Sequence, residues 1–201
     1  KTQAALLEVM QERQVTIDGT SYPLEAPFAV FATQNPIEHE GTYPLPEAQL
    51  DRFLMKVLIE YPESASEHEI IAKASGIGGQ ETTAIPVVCE RDDIIAAQGE
   101  TSAVSIDVVV IQYALQLVQA TRDAAALALG AGTRGAIDLV RVAKARAILD
   151  GRDFVIPDDI KGAVLPVLRH RVQLSPEMAI SGGDVDSTLL QLIESVEAPR
   201  M

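Results

Sequence analysis

Cysteine is nearly absent from this 201-residue chain, tryptophan is wholly absent, and aromatic residues make up 4% of it. The single cysteine, Cys89, excludes an internal disulfide framework and a cysteine-rich zinc site. Within PVVCERDD it reads as a small core hydrophobe rather than a nucleophile. Basic residues are scarce too: 16 Lys and Arg stand against 29 Asp and Glu, for a net charge of −13. A duplex-binding face must neutralise phosphates with cations, so the molecule as a whole is a poor nucleic-acid binder. No apolar run approaches the roughly 18 residues needed to span a bilayer, and Lys1-Thr2-Gln3 has neither the n-region nor the h-region of a secretory signal. A cytoplasmic protein without a membrane span is expected.

What is present is enough apolar sequence, 47% of the chain, for one generous core or two modest ones. Ala5, Leu6, Val9 and Met10 recur at helical spacing, predicting an amphipathic helix over Thr2 to Arg13. VTIDGTSYPL alternates around the turn signal Asp18-Gly19 and predicts a β-hairpin. PFAVFAT and LMKVLIEY read as strands covered on both faces, with the helical segment PEAQLDRF between them. The first 61 residues are therefore α/β in character.

After Tyr61-Pro62 the pattern becomes helical. Ser66 and Glu69 form a capping box, Gly76 stops that helix, and further helices are expected in ERDDIIAAQ, in Ser105 to Leu129, in TRGAIDLVRVAKARAILDG, in PDDIKGAVLPVLRH and in DVDSTLLQLIESV. Ser105 reads as an N-cap, Gly151 as a C-terminal stop, Pro157 as a first helical residue, and Asp184 or Asp186 as the last cap. Two domains follow, residues 1–61 and 62–201, α/β then all-α.

Few residues invite chemistry. Asn35 lies at the end of a buried strand, where α/β sheets present ligand-binding groups, and a neutral carboxamide suits a site that must not repel phosphate. Taken alone, Asn35-Pro36 reads more simply as a chain turn. Arg52 has Ala48 and Gln49 on its helical face and no acidic neighbour, so its partner lies elsewhere, or it is a solvated or tertiary ion-paired side chain. Arg134 opens a helix, where a cation is unfavourable unless an anion sits there as well; an exposed arginine tolerating a small penalty accounts for it equally. GAGTRG matches G-x-G-x-x-G but follows the helical-looking DAAALAL, so it reads as a flexible link between two helices. No G-x-x-x-x-G-K-[ST] loop occurs. Glu38, His39 and Glu40 are consecutive rather than on one helical face and read as a solvated loop, so no metal site is expected. His170 sits near a helix end, where its dipole role suffices, and His68 is ordinary helix surface.

The order and text of KTQAALLEVMQERQVTIDG, FATQNPIEHEGTYPLPEAQLDRF, GRDFVIPDDI and VLRHRV resemble the MoxR family of AAA+ ATPases, over essentially the whole chain. The resemblance implies the C-terminal part of an AAA+ αβα core followed by a helical lid. It implies a ring-forming ATPase, hexameric as the full-length protein, with a chaperone-like role in remodelling or maturing complexes. By that likeness Asn35 is the sensor 1 residue that positions the hydrolytic water, Arg52 the arginine finger offered to a neighbouring subunit, and Arg134 the sensor 2 arginine. The cofactors implied are ATP and Mg²⁺, both held mainly by a phosphate loop and Walker B carboxylates expected upstream of Lys1, so this chain alone is expected to be inactive. The partners implied are nucleotide, further copies of the chain and proteins bearing von Willebrand factor A domains. Where the family usually shows Gly-Ala-Ser-Pro-Arg-Ala, this chain has GAGTRG, and Gly132, Thr133 and Gly135 are expected to loosen the turn. Two other readings are a nucleic-acid motor subunit and a non-catalytic helical interaction module. The hairpin tip, with only Asp18 charged, disfavours the motor.

Overall fold

The computed structural model describes residues 9–10, 12–34, 45–76 and 85–200. It divides into two compact units, residues 57–90 and the remainder of the chain. In the larger unit Val9, Met10 and Glu12 are helical, and the chain turns at Arg13 into the hairpin β1 (Gln14–Ile17) and β2 (Thr20–Pro23). The strands pair antiparallel from Gln14↔Pro23 to Ile17↔Thr20. Asp18 and Gly19 both take positive φ, 49° and 79°, the paired left-handed turn that matches the twist of the flanking strands.

PFAVFAT and LMKVLIEY do not form strands. Phe31 is 94% exposed and Ile59 92%. A segment apolar on both faces becomes a strand only between neighbouring strands and under covering layers. Among the described residues no strand pairs with either segment, and both run without regular structure. Between them lies a single helical turn, α1 (Glu47–Leu50).

The smaller unit holds α2 (Ser64–Ala74), which starts two residues before the expected capping box, with Glu63 as N-cap and no side-chain cap bond. Gly76, at φ 78°, ends it as expected, and His68 lies on its exposed surface. Cys89 is exposed rather than a core hydrophobe, because its neighbours Val87 and Val88 are themselves 85% and 87% exposed.

After α3 (Arg91–Ala103), which has no buried residue, the core of the larger unit sits among α4 (Val108–Asp123), α5 (Thr133–Leu149), α6 (Pro157–Leu168) and α8 (Val185–Ser195), with α7 (Pro176–Ile180) a short turn beside them. The buried residues of α4 are Val110, Tyr113, Ala114, Leu117, Val118 and Thr121, one face at helical spacing. They meet Leu139, Ala143 and Ala147 of α5 and Ile160, Ala163, Val164, Val167 and Leu168 of α6. Small residues let α5 and α6 approach closely: a Cβ on Gly162 would come within 2.7 Å of the Arg146 guanidinium.

The end signals are mostly where expected. Gly151 takes φ 72° after α5, Pro157 opens α6, and Asp184 caps α8 by accepting from the Ser187 N–H. Ser105 is not the cap of α4. That role falls to Asp107, which accepts from Val109 N–H, while Ser105 bridges to Phe154. In GRDFVIPDDI, Arg152 forks onto both oxygens of Asp159 at 2.8 and 2.7 Å. Burial opposes ionisation of Asp159, but the Arg152 fork and the Ile156 N–H outweigh it and hold this carboxyl below its ordinary range.

The stretch from Ser105 to Leu129 is not one helix. α4 stops at Asp123, and Leu127–Leu129 forms a strand, β3, paired antiparallel with β4 (Gln173–Leu174). The reason lies in the loop that follows. Thr121 Oγ1 accepts from Ala131 N–H at 2.9 Å, and Arg122 Nε donates to the Ala131 carbonyl at 2.8 Å. These bonds fold residues 130–132 back onto the end of α4. A strand does precede GAGTRG, contrary to expectation, but it pairs antiparallel with β4 in a two-stranded sheet, so the motif is no dinucleotide fingerprint. Nor is the link flexible. A Cβ on Gly130 would stand 2.6 Å from Arg122 Cα and from the Thr121 carbonyl. Gly130→Ala is therefore expected to cost about 3 kcal/mol, since backbone atoms cannot yield as a side chain can. Urea denaturation of the two proteins measures it.

Candidate functional site

The turn Asp51-Arg52-Phe53-Leu54 follows α1, and its hydrogen bonding is supplied by residues that follow α6. Arg171, whose side chain is 1% exposed, is the organiser. Its Nη2 donates to the Asp51 carbonyl at 3.0 Å, the Phe53 carbonyl at 2.8 Å and Asp138 Oδ2 at 2.6 Å. Its Nε reaches Asp51 Oδ1 at 3.0 Å, and its Nη1 donates to the Val167 carbonyl at 2.7 Å. A guanidinium can serve several acceptors in one plane where an ammonium cannot.

Arg169 and His170 complete the clamp. Arg169 forks onto Asp186 of α8 at 3.1 and 2.7 Å and also reaches the Lys56 carbonyl at 3.3 Å. The Lys56 N–H donates to the Pro166 carbonyl at 2.8 Å. His170 Nε2 lies 3.0 Å from the Phe53 carbonyl and must donate to it, which leaves Nδ1 buried without a partner among the described residues. His170 is thus a pin for this turn rather than a helix-dipole residue. VLRHRV and AQLDRF, far apart in sequence, form one structural unit.

Burial is the largest influence on His170 and lowers its pKa, with Arg171 and Lys56 acting the same way, against the Phe53 bond and Asp51. Folding therefore favours neutral imidazole. Its stabilising share is complete above the unfolded value of about 6.5 and declines as pH falls through the lower folded value. The thermal midpoint is expected to fall on acidification from pH 7.5 to 5.5, and by less in His170→Gln.

The turn presents Arg52 to a cleft of about 480 Å³ lined by Arg13, Arg52, Arg134, Arg141 and Asp138, with Met10 and Leu54 as its apolar part. Arg52 Nε is buried and has no hydrogen-bond partner among the described residues. That is costly for a cation unless something else completes it. Arg134 is the second residue of α5, and its Nη1 pairs with Asp51 Oδ2 at 3.0 Å. Both side chains of this pair are partly exposed, 43% and 34%, so the pair is weak and exchangeable. Gly132, the N-cap, has φ −81° and ψ 176°, an extended geometry open to any residue. The helix begins at Thr133, directly after it.

Of the three residues singled out in the sequence, two meet in this cleft. Asn35 lies outside the described residues. Its neighbour Gln34 lines a second cavity, of about 500 Å³, together with Asp51, Gly132 and His170. Arg171 and Asp138 escaped sequence reasoning. An aspartate in mid-helix beside apolar residues is the signal that could have found Asp138, since burial of a carboxylate requires a cation. The four-arginine cleft suits a polyphosphate, whose oxygens accept charge-assisted bonds from guanidinium groups. Among the described residues no cluster of His, Cys, Asp or Glu could hold a metal ion, and no helix is long and apolar enough to cross a membrane.

Comparisons with known proteins agree with this geometry. The ATPase family associated with various cellular activities (AAA) matches residues 1–55, and the AAA lid domain matches residues 119–191. The chain is 42% identical to the protein YeaC of Bacillus subtilis, over 99% of this chain and 62% of YeaC. It is 36% identical to the chaperone MoxR1 of Mycobacterium tuberculosis, over 100% of this chain and 55% of MoxR1. A solved structure of a candidate ATPase from Cytophaga hutchinsonii superposes with a TM-score of 0.87 at 40% identity, covering 98% of this chain and 62% of the other. The chain thus spans about three-fifths of the length of these relatives.

Proposed function

Because this chain belongs to the MoxR-type AAA ATPases with a lid domain, we propose that it supplies the arginine-bearing side of a nucleotide site shared between subunits. The observation that carries this reading is that Arg52 and Arg134 line one cleft, with Arg52 Nε buried and unpaired among the described residues. Phosphoryl transfer spreads negative charge over the γ-phosphoryl oxygens, and a guanidinium held there stabilises the transition state more than the ground state. Arg52 is the finger. Arg134 acts as sensor 2, exchanging Asp51 for phosphate, and since it shares the cleft with Arg52 it addresses the same nucleotide, that of the neighbouring subunit.

Asn35 is proposed as sensor 1, orienting the attacking water at the subunit's own site. Gln34, beside it, borders the second cavity and not the arginine cleft, which accords with two separate sites. ATP is the substrate. Mg²⁺ would be held by the nucleotide and by residues outside those described. A domain boundary near Tyr61, assembly into a hexameric ring, chaperone-like remodelling and clients with von Willebrand factor A domains complete the proposal. The name of the MoxR1 relative supports the chaperone role. For a nucleic-acid motor the hairpin tip is wrong: Asp18 supplies the charge there and no cation stands beside it.

The first test is on this chain alone. It is expected neither to hydrolyse ATP nor to bind it tightly, because the residues described grip the phosphate end from one side only. Robust turnover in a coupled phosphate-release assay would overturn the assignment.

A further inference from the structure

This inference rests on the reading above, in which Arg52 and Arg134 meet phosphate. Two more arginines, Arg13 and Arg141, line the same cleft. Arg13 has φ 50°, in the left-handed region that a Cβ disfavours and glycine enters freely. Among the described residues its bonds are main-chain: its N–H donates to the Val9 carbonyl at 3.1 Å, and its carbonyl accepts from Leu24 N–H at 2.8 Å. Glycine would make both. Only its side chain distinguishes arginine from glycine at this left-handed position, and Arg13 lines the cleft.

Arg141 is 69% exposed yet not free. It donates to Asp138 Oδ1 at 3.1 Å, while Arg171 fixes the other oxygen of that carboxylate at 2.6 Å. A carboxylate with 5% exposure, held by a buried guanidinium, therefore aims Arg141 at the cleft mouth. Among the described residues, the four cleft arginines and Arg171 stand against the carboxylates of Asp138 and Asp51, an excess of three positive charges within a chain of net charge −13. On so acidic a protein such a cluster repels itself, and an elongated anion relieves the repulsion along its whole length. A single phosphoryl group does not need four such groups.

We propose that Arg13 and Arg141 contact the triphosphate chain of the nucleotide, so that the cleft holds the polyphosphate along its length and not by the terminal phosphoryl alone. Titration calorimetry of this chain with inorganic tripolyphosphate and with inorganic phosphate tests it. Tripolyphosphate is expected to bind more than about tenfold tighter, and Arg13→Gly and Arg141→Gln each to weaken it about tenfold. Arg13→Gly should melt close to the wild-type temperature, because its backbone conformation suits glycine, so its loss of binding is separable from unfolding. Arg134→Ala is measured alongside. If it weakens binding while Arg13→Gly and Arg141→Gln do not, the inference is overturned and the underlying reading stands. If none of the three has an effect, both fall. Equal affinity for the two anions also overturns the inference.

Discussion

On the proposed finger role, replacing Arg52 with alanine in a protein that also carries the phosphate loop is expected to leave nucleotide affinity largely intact and to lower ATP turnover by about 10³- to 10⁵-fold. The asymmetry follows from where charge develops. The ground-state nucleotide already has its phosphates held by other groups, whereas the charge on the transferring phosphoryl oxygens peaks in the transition state. On the proposed reading the Arg52 guanidinium, whose buried Nε has no hydrogen-bond partner among the described residues, meets that charge without first leaving a carboxylate among those residues. Arg134 differs in this respect, since it begins paired with Asp51 at 3.0 Å. Its removal should therefore affect binding as well as turnover. Single-turnover and steady-state kinetics, with nucleotide affinity measured separately, distinguish the two patterns.

The second large effect concerns Arg171. Arg171→Ala is expected to destabilise the larger unit by about 3–5 kcal/mol, the usual cost of breaking a buried ionic network by removing one partner. The variant would leave Asp138, at 5% side-chain exposure, with the surface residue Arg141 as its remaining partner. It would also strip hydrogen bonds from the Asp51 and Phe53 carbonyls, which flank Arg52. Arg171→Lys should recover only part of this, because an ammonium cannot bridge Asp51, Asp138 and two carbonyls together. A double-mutant cycle with Asp138→Asn, read by urea denaturation, should give strong coupling, as expected of groups in one network.

Much of this fold could be read from the chain. The Asp18-Gly19 hairpin, the Pro157 start, the Gly151 stop and the Asp184 cap depend on local chemistry, and local chemistry decided them. The strands PFAVFAT and LMKVLIEY failed because an apolar run states only that it seeks cover, and strand formation depends on partners that the run does not contain. The end of α4 failed for a related reason: the helix stops at Asp123 where Thr121 and Arg122, in its last turn, bond to Ala131, ten and nine residues on. For the site, Arg52 and Arg134 could be singled out as cations without local partners. Their meeting could not, because it depends on Arg169, His170 and Arg171 clamping a turn that precedes them by more than a hundred residues. Asp138 looked like an ordinary polar residue of α5, and only its burial shows that it ties Arg171 to Arg141.

The most direct measurement is a subunit-mixing experiment with full-length protein. One preparation carries Arg52→Ala and Arg134→Ala with an intact phosphate loop; the other retains both arginines but cannot bind nucleotide. Each is expected to be nearly inactive alone, and ATP turnover should reappear on mixing, since arginines of one subunit would then face nucleotide held by the next. Mixtures that stay as inactive as their components, while the two preparations demonstrably co-assemble, would contradict the account.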